Sequence, residues 1–264
     1  MGNAERKHLL NAEQMARFVS DGYLLLPEMV PAEYNEAVYA EQRQYSEGSA
    51  RFWTESKRIQ DIFELPQVKG ALQSFVGPNP VYDHSFMHIV KPEKATAQNW
   101  HQDSVIDTRP YGFDVQAFYF SHDTPIEMGP TIILPGSHLR KVSNFSIGRY
   151  KNIVGQKQLA CKAGTIAILH HGIWHAAMPN ATDRTRYVFK LRLRPGCEQR
   201  NLFNTDGYDS KEVRDIIYNA NYPWQGDESR NEHILRAKLW RYVTGNNSID
   251  VSFEGALTRM QITS

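Results

Sequence analysis

At 264 residues, 41% of them hydrophobic, the chain is long enough to bury a substantial core without disulfides or a structural metal, as one large domain or at most two. Thirty basic residues against twenty-nine acidic ones give a formal charge of +1, which removes the electrostatic case for binding nucleic acid or an anionic membrane and leaves a small molecule as the default partner. Only Cys161 and Cys197 are present, no charged-then-apolar leader precedes the first polar segment, and no apolar run approaches the roughly 20 residues of a spanning helix. These features predict a cytoplasmic chain with free thiols.

In chain order, Asn11 followed by Gln14 has the form of a helix cap, and Met15, Phe18 and Val19 supply helical spacing until Gly22. A helix is expected over about residues 12 to 20, a strand over Tyr23 to Leu26, and a second helix over about 31 to 46 with Pro31 in its first turn. Residues 48 to 61 show no sustained apolar period and read as a loop, whereas Leu65 to Phe75 looks helical up to Gly77 and Pro78. From Val81 the pattern changes to short β-like runs separated by Gly, Pro and Asp. The runs are Val81 to Lys91, Val115 to Ser121, Thr131 to Leu134, Gly164 to Leu169 and Tyr187 to Leu193, with a polar loop over 92 to 98. Residues 138 to 160 are polar and irregular and suit a segment covering a site. Many short strands suggest a barrel or sandwich. A last helix, Glu228 to Val243, carries Ile234, Leu235, Leu239 and Trp240.

The stretch Gln98-Asn99-Trp100-His101-Gln102-Asp103 holds the first chemistry. At strand spacing, residues i and i+2 point to one face, so the imidazole of His101 and the carboxylate of Asp103 can aim at one point. His175 in Gly172-Ile173-Trp174-His175 is the best second imidazole. Two histidines and one carboxylate on one face of a metal leave the opposite positions open, the arrangement of non-haem Fe(II) oxygenases. His170 and His171 compete with His175, and His171 with His175 has the i, i+4 spacing of a helical zinc site, although Gly172 and the apolar run before it argue for strand and turn. His138 reads as a turn residue, His84, His88 and His122 as packing or surface residues, and Cys161 as a small core residue.

Trp100-His101-Gln102-Asp103, then Gly129-Pro130-Thr131 leading into Leu134-Pro135-Gly136-Ser137-His138, then His175 with Pro179-Asn180 and Arg186, together resemble the phytanoyl-CoA dioxygenase family of Fe(II)/2-oxoglutarate oxygenases. The opening helix followed by Asp21-Gly22-Tyr23 is similar to that family's start. The resemblance runs from about residue 12 to 195 and implies a mainly β fold with flanking helices, an α+β chain built on a double-stranded β-helix, the jelly-roll or cupin barrel. It implies one domain over residues 1–264, with helical support over 1–80, the barrel over 81–195 and a helical segment over 196–264.

By the same resemblance the metal triad falls on His101, Asp103 and His175, and the arginine that anchors 2-oxoglutarate falls on Arg186. A guanidinium suits that role because it grips a carboxylate bidentately; Arg184 is the nearby competitor. Gln98 and Thr131 occupy positions that touch the cosubstrate in related enzymes. Met128 stands where the family often has asparagine, which puts a contact from that side chain in doubt. The implied activity is oxidation of a small molecule with 2-oxoglutarate and O2 as cosubstrates, releasing succinate and CO2. Related halogenases carry a small residue at the carboxylate position, so Asp103 favours hydroxylation of an unactivated C–H bond, with desaturation, ring closure or epoxidation open to the same iron site. The alternative is a cupin-type metal-binding protein or non-oxidative metalloenzyme that does not use 2-oxoglutarate.

Overall fold

The computed structural model describes residues 7–92, 98–104 and 107–262. Helix α1 (Ala12–Asp21) begins on the expected reciprocal cap. The Asn11 side chain accepts from the Gln14 amide at 2.8 Å, and the Gln14 side chain accepts from the Asn11 amide at 3.0 Å. Two donors that a first turn leaves unpaired are thereby satisfied. Gly22 ends the helix at φ +80°, where a side chain would also collide with the His138 ring. Backbone conformation and close approach therefore both require glycine there.

Strand β1 (Tyr23–Leu26) and helix α2 (Ala32–Gln42) follow as expected. The segment expected as a loop over 48 to 61 is instead two helices, α3 (Arg51–Glu55) and α4 (Lys57–Glu64). Ser56 separates them with an extended backbone, and its hydroxyl caps α4 by accepting from the Ile59 amide at 3.2 Å. Each is too short to display a period of its own. They hold because Phe52, Ile59, Ile62 and Phe63 are buried against the core. Helix α5 (Pro66–Val76) then starts on proline at its first position.

The strands are β2 (Val81–Val90), β3 (Val115–Phe120), β4 (Thr131–Ile133), β5 (Lys157–Gln158), β6 (Thr165–His170), β7 (His175–Ala177) and β8 (Arg186–Arg194), with a short helix α6 (Asn144–Ile147) between β4 and β5. Residues 93–97 of the expected polar loop lie outside the described residues. After β8 come α7 (Lys211–Asn219), α8 (Asp227–Thr244) and α9 (Phe253–Ile262), within the segment expected to be helical; of the three, only α8 was read from its own residues. Among the described residues, helical positions outnumber strand positions, so the chain is mixed α+β rather than mainly β.

The described strands form two antiparallel sheets, one in the order β1-β6-β3-β8-β2 and one in the order β5-β4-β7. Strand alternation splits the large sheet cleanly. Phe189, Leu191 and Leu193 of β8, Val115, Ala117 and Tyr119 of β3, and Met87 and Ile89 of β2 pack with residues of α1, α4 and α5 in the main core. The alternate residues of those strands face the other way. Val188, Phe118, Phe120, Ala167 and Leu169 meet Ile133 of the small sheet. The small sheet's own reverse side, Ile132 and Ala176, is covered by Trp100, Ile147 and Trp174. The space between the two sheets is therefore where inward-facing polar side chains gather.

Candidate metal centre

His101 and His175 are joined by an antiparallel bridge in which each amide donates to the other's carbonyl at 3.0 Å. The 98–101 stretch thus extends the small sheet past β7, and the Gln98 amide adds a bond to the Ala177 carbonyl at 3.0 Å. Alternation follows as expected: His101 and Asp103 point into the inter-sheet space. Gln102 points away, where its buried amide donates to Gly172 O at 3.0 Å and to Arg140 O at 2.5 Å.

The imidazoles are fixed in one tautomer by the backbone. Nδ1–H of His101 donates to Asn99 O at 2.8 Å and Nδ1–H of His175 to Ile173 O at 3.0 Å, which leaves both Nε2 lone pairs free to act as ligands. Those atoms lie 3.6 and 3.8 Å from the Asp103 carboxylate oxygens, and one ligand atom from each of the three residues falls within 4.8 Å of the others. Burial, reinforced by the neighbouring His101, lowers the His175 pKa to about 4, so its imidazole is neutral and ready to donate. Burial alone would raise Asp103. The fields of His175 and Lys190, the Gln116 hydrogen bond and His101 outweigh it and hold the carboxyl well below the usual carboxylate range. The neutral His175, a second imidazole presenting its Nε2 and an ionised carboxylate are a donor set suited to a divalent iron-group metal.

Arg186 opens β8 opposite Val90 of β2 and is almost wholly buried. One guanidinium nitrogen donates to Gly129 O, while its Nε has no partner. Burial lowers its pKa to about 10, which leaves it charged at neutral pH and in need of an anion. Gln98, Thr131 and Arg186 line the same cavity of about 170 Å³ as the triad, and the Gln98 amide lies 3.4 Å from His101 Nε2. The structure thus brings all six expected residues together. Arg184 is exposed, with its carbonyl bonded to Asn180.

Several residues in this site went unread in the sequence. Gln116 of β3 donates to Asp103 Oδ2 and lies 2.6 Å from His171 Nδ1. The amide must present its nitrogen to the carboxylate, so His171 accepts at Nδ1, and Arg192 Nη1 stands 3.3 Å from its Nε2. Lys190 of β8 stands 3.4 Å from the same Asp103 oxygen. His84, Phe86 and His88 of β2 also line the cavity; neither histidine belongs to the triad, His84 being exposed and His88 packed on Phe86 with ring centres 4.5 Å apart. His170, by contrast, packs on Phe18, Phe113 and His138 in the core.

A wider hollow of about 810 Å³ shares Gln98 and His101 with the cavity and is walled by Trp100, Phe145 and Arg149. It is bounded by α6, which Asn144 pins in place. Its side chain accepts from the Gln102 amide at 2.7 Å and donates to the Gln102 carbonyl at 3.0 Å. The irregular 138–160 segment therefore borders the site, as its composition suggested, whereas residues 51–64 pack on the core. Among the described residues no helix is long and apolar enough to cross a membrane.

A sequence model of the phytanoyl-CoA dioxygenase family matches residues 7–188. No curated protein matches the chain. Among solved structures, HygX from Streptomyces hygroscopicus with nickel and 2-oxoglutarate bound is similar at 13% identity and TM-score 0.60, over 71% of this chain and 87% of that one. The non-haem α-ketoglutarate-dependent epimerase SnoN from nogalamycin biosynthesis is 18% identical with TM-score 0.58, over 82% of this chain and 96% of that one. The nickel complex of the non-haem monooxygenase ThoJ is 19% identical with TM-score 0.55, over 83% and 97%. At these identities the likeness is one of fold.

Proposed function

The chain belongs to the phytanoyl-CoA dioxygenase family, and from that membership we propose that it is an Fe(II)- and 2-oxoglutarate-dependent oxygenase that hydroxylates a C–H bond of a small molecule. One observation carries the reading: two tautomer-fixed histidine Nε2 atoms and the Asp103 carboxylate converge within 4.8 Å in a cavity that also holds a buried arginine with an unpartnered Nε. In this reading the two facing sheets are the halves of a double-stranded β-helix, and the helices before residue 80 and after residue 196 belong to the same domain.

His101, Asp103 and His175 would hold the iron through two imidazole nitrogens and a carboxylate oxygen. Arg186 takes the far carboxylate of 2-oxoglutarate through the Nε and Nη edge that Gly129 does not use, and Gln98 and Thr131 border the same ligand. Iron with bound 2-oxoglutarate supplies the oxidising power: the 2-oxo acid loses CO2 and becomes succinate, one atom of O2 entering succinate and the other the substrate. The backbone carbonyls of Asn99 and Ile173 keep both imidazoles aimed throughout, and Gln116 holds the carboxylate. Nickel- and 2-oxoglutarate-bound HygX and the monooxygenase ThoJ support the cofactor assignment. SnoN is an epimerase, so the choice of hydroxylation rests on Asp103 and on product analysis.

The test is anaerobic addition of Fe(II) and then 2-oxoglutarate to metal-free protein. A saturable visible charge-transfer band is expected, absent in His175→Ala, followed by succinate release on admitting O2. Metal binding with no band and no effect of 2-oxoglutarate would overturn the assignment and leave a non-oxidative metal protein.

A further inference from the structure

Lys190 shares the inner face of β8 with Arg186, Val188 and Arg192, two pleat repeats from the first. It is only 9% exposed, yet among the described residues its ammonium has one hydrogen-bond acceptor, Asp103 Oδ2 at 3.4 Å. The Phe86 ring centre lies 5.8 Å from Nζ. An ammonium carries three donors, so two are left pointing into the cavity or at apolar wall. Burying a cation in that condition is costly unless a ligand supplies acceptors and charge.

The loaded site takes away the acceptor that Lys190 has now. Asp103 is the one carboxylate among the residues lining the cavity, and Glu47 acts from outside the lining on Arg186. This inference rests on the oxygenase reading, in which a divalent metal and the 2-oxoglutarate dianion are added. Asp103, Lys190's present partner, is then shared with the metal, which leaves the ammonium short of an acceptor. Arg186 and Lys190 are separated by about 13 Å along the strand at ordinary β rise, so they serve different groups. The wider hollow adds an apolar side chain open to a ligand: Phe145, 91% exposed. Arg149 is its one charged lining residue.

We propose that Lys190 anchors the primary substrate by an anionic group, and that the substrate is an organic acid with an apolar body reaching toward Phe145. Gln116 already holds Asp103 from the opposite strand, so the ammonium is not needed to orient that carboxylate. The oxidised carbon would lie within a few bonds of the acid group, because Lys190 and the metal share a carboxylate oxygen's surroundings.

The experiment is calorimetry on the full-length Ni(II)-loaded protein saturated with 2-oxoglutarate, titrated with matched acid and amide pairs: 4-phenylbutyrate with 4-phenylbutyramide, and octanoate with octanamide. Wild type is expected to prefer the acids by about tenfold or more, the size of one charge-assisted hydrogen bond. Lys190→Met should abolish the preference and Lys190→Arg retain it, with nickel and 2-oxoglutarate affinities within about twofold of wild type; melting curves check that both variants fold. Equal binding of acids and amides to wild type, or a preference that survives in Lys190→Met, overturns the proposal. So does a Lys190→Met protein that loses 2-oxoglutarate or nickel, which would assign the ammonium to the cosubstrate or to Asp103. Wild-type protein that takes nickel and fails to bind 2-oxoglutarate would instead refute the underlying oxygenase reading.

Discussion

The two sheets of this molecule are built to different standards. The large one has a nine-pair ladder between β2 and β8, broken by one irregularity, and its outer face is sealed by helices. The small one is made of strands of two and three residues, lengths that are marginal without support. Yet His175 starts β7, and His101 is bridged to it outside any regular strand. The candidate ligands thus ride on the weaker sheet, where a bound metal would act as a cross-link to Asp103. The cations Arg186 and Lys190, which must be kept from water in a fixed place, ride on the stronger one. Stability and metal chemistry are divided between the sheets, and the two should respond differently to substitution.

The largest effect is expected where the large sheet meets its helices. Phe189 is fully buried, with its ring 5.5 Å from Phe52 and 6.0 Å from Phe63 in edge-on contact. Phe189→Ala should lower unfolding stability by about 3–5 kcal/mol in urea titrations, with and without metal. A loss under about 1 kcal/mol would mean that this face is not where the fold draws its stability. His175→Ala is the counterpart on the small sheet. It removes one hydrogen bond to Ile173, so the metal-free protein should lose only about 1 kcal/mol. The stabilisation by Ni(II), about 2.7 kcal/mol at a hundredfold excess over Kd, should vanish from its thermal melts. An unchanged metal response would move the binding site elsewhere and erase the contrast between the sheets.

Legibility in the sequence followed the same division. The His101 and Asp103 pair was readable because strand alternation is local, and Arg186 through the family resemblance alone, since Arg184 is an equal match by residue type. Lys190 was not. Arg186-Tyr187-Val188-Phe189-Lys190-Leu191-Arg192 alternates basic and apolar, which by itself reads as a half-exposed strand with a solvated basic face. That face turns inward because the small sheet covers it, a fact about packing far along the chain. The helices over 51–64 were missed because Ser56 divides them into pieces too short for a period. In α7 the pair Val213 and Ile217 was present as the i, i+4 signal but too brief to stand out from a polar stretch.

The smallest expected effect lies away from both sheets, where α8 docks beside α1. Glu232 and Arg236 are both buried, 3.5 Å apart, and Arg236 also donates to Ala220 O at 3.1 Å. One Glu232 oxygen has no partner. Burial pushes the Glu232 pKa up to about 7 against the pull of Arg236. A carboxyl whose folded pKa exceeds its unfolded value stabilises the fold fully below the unfolded pKa, near 4.5, and loses that contribution as pH rises through 7. Burial acts oppositely on His233 and His138, lowering them to about 4 and about 3. Their contribution is present above the ordinary histidine value of 6.5 and is lost as pH falls below it. Stability should therefore peak between these limits. Glu232→Gln should remove the alkaline loss alone, so that the change in stability from pH 6 to pH 8.5 is more favourable than in wild type by about 1–2 kcal/mol in urea unfolding while the acid limb stays. An unaltered alkaline limb would mean that Arg236 keeps Glu232 ionised in the folded protein, and that the helix docks through a true ion pair rather than a protonated acid.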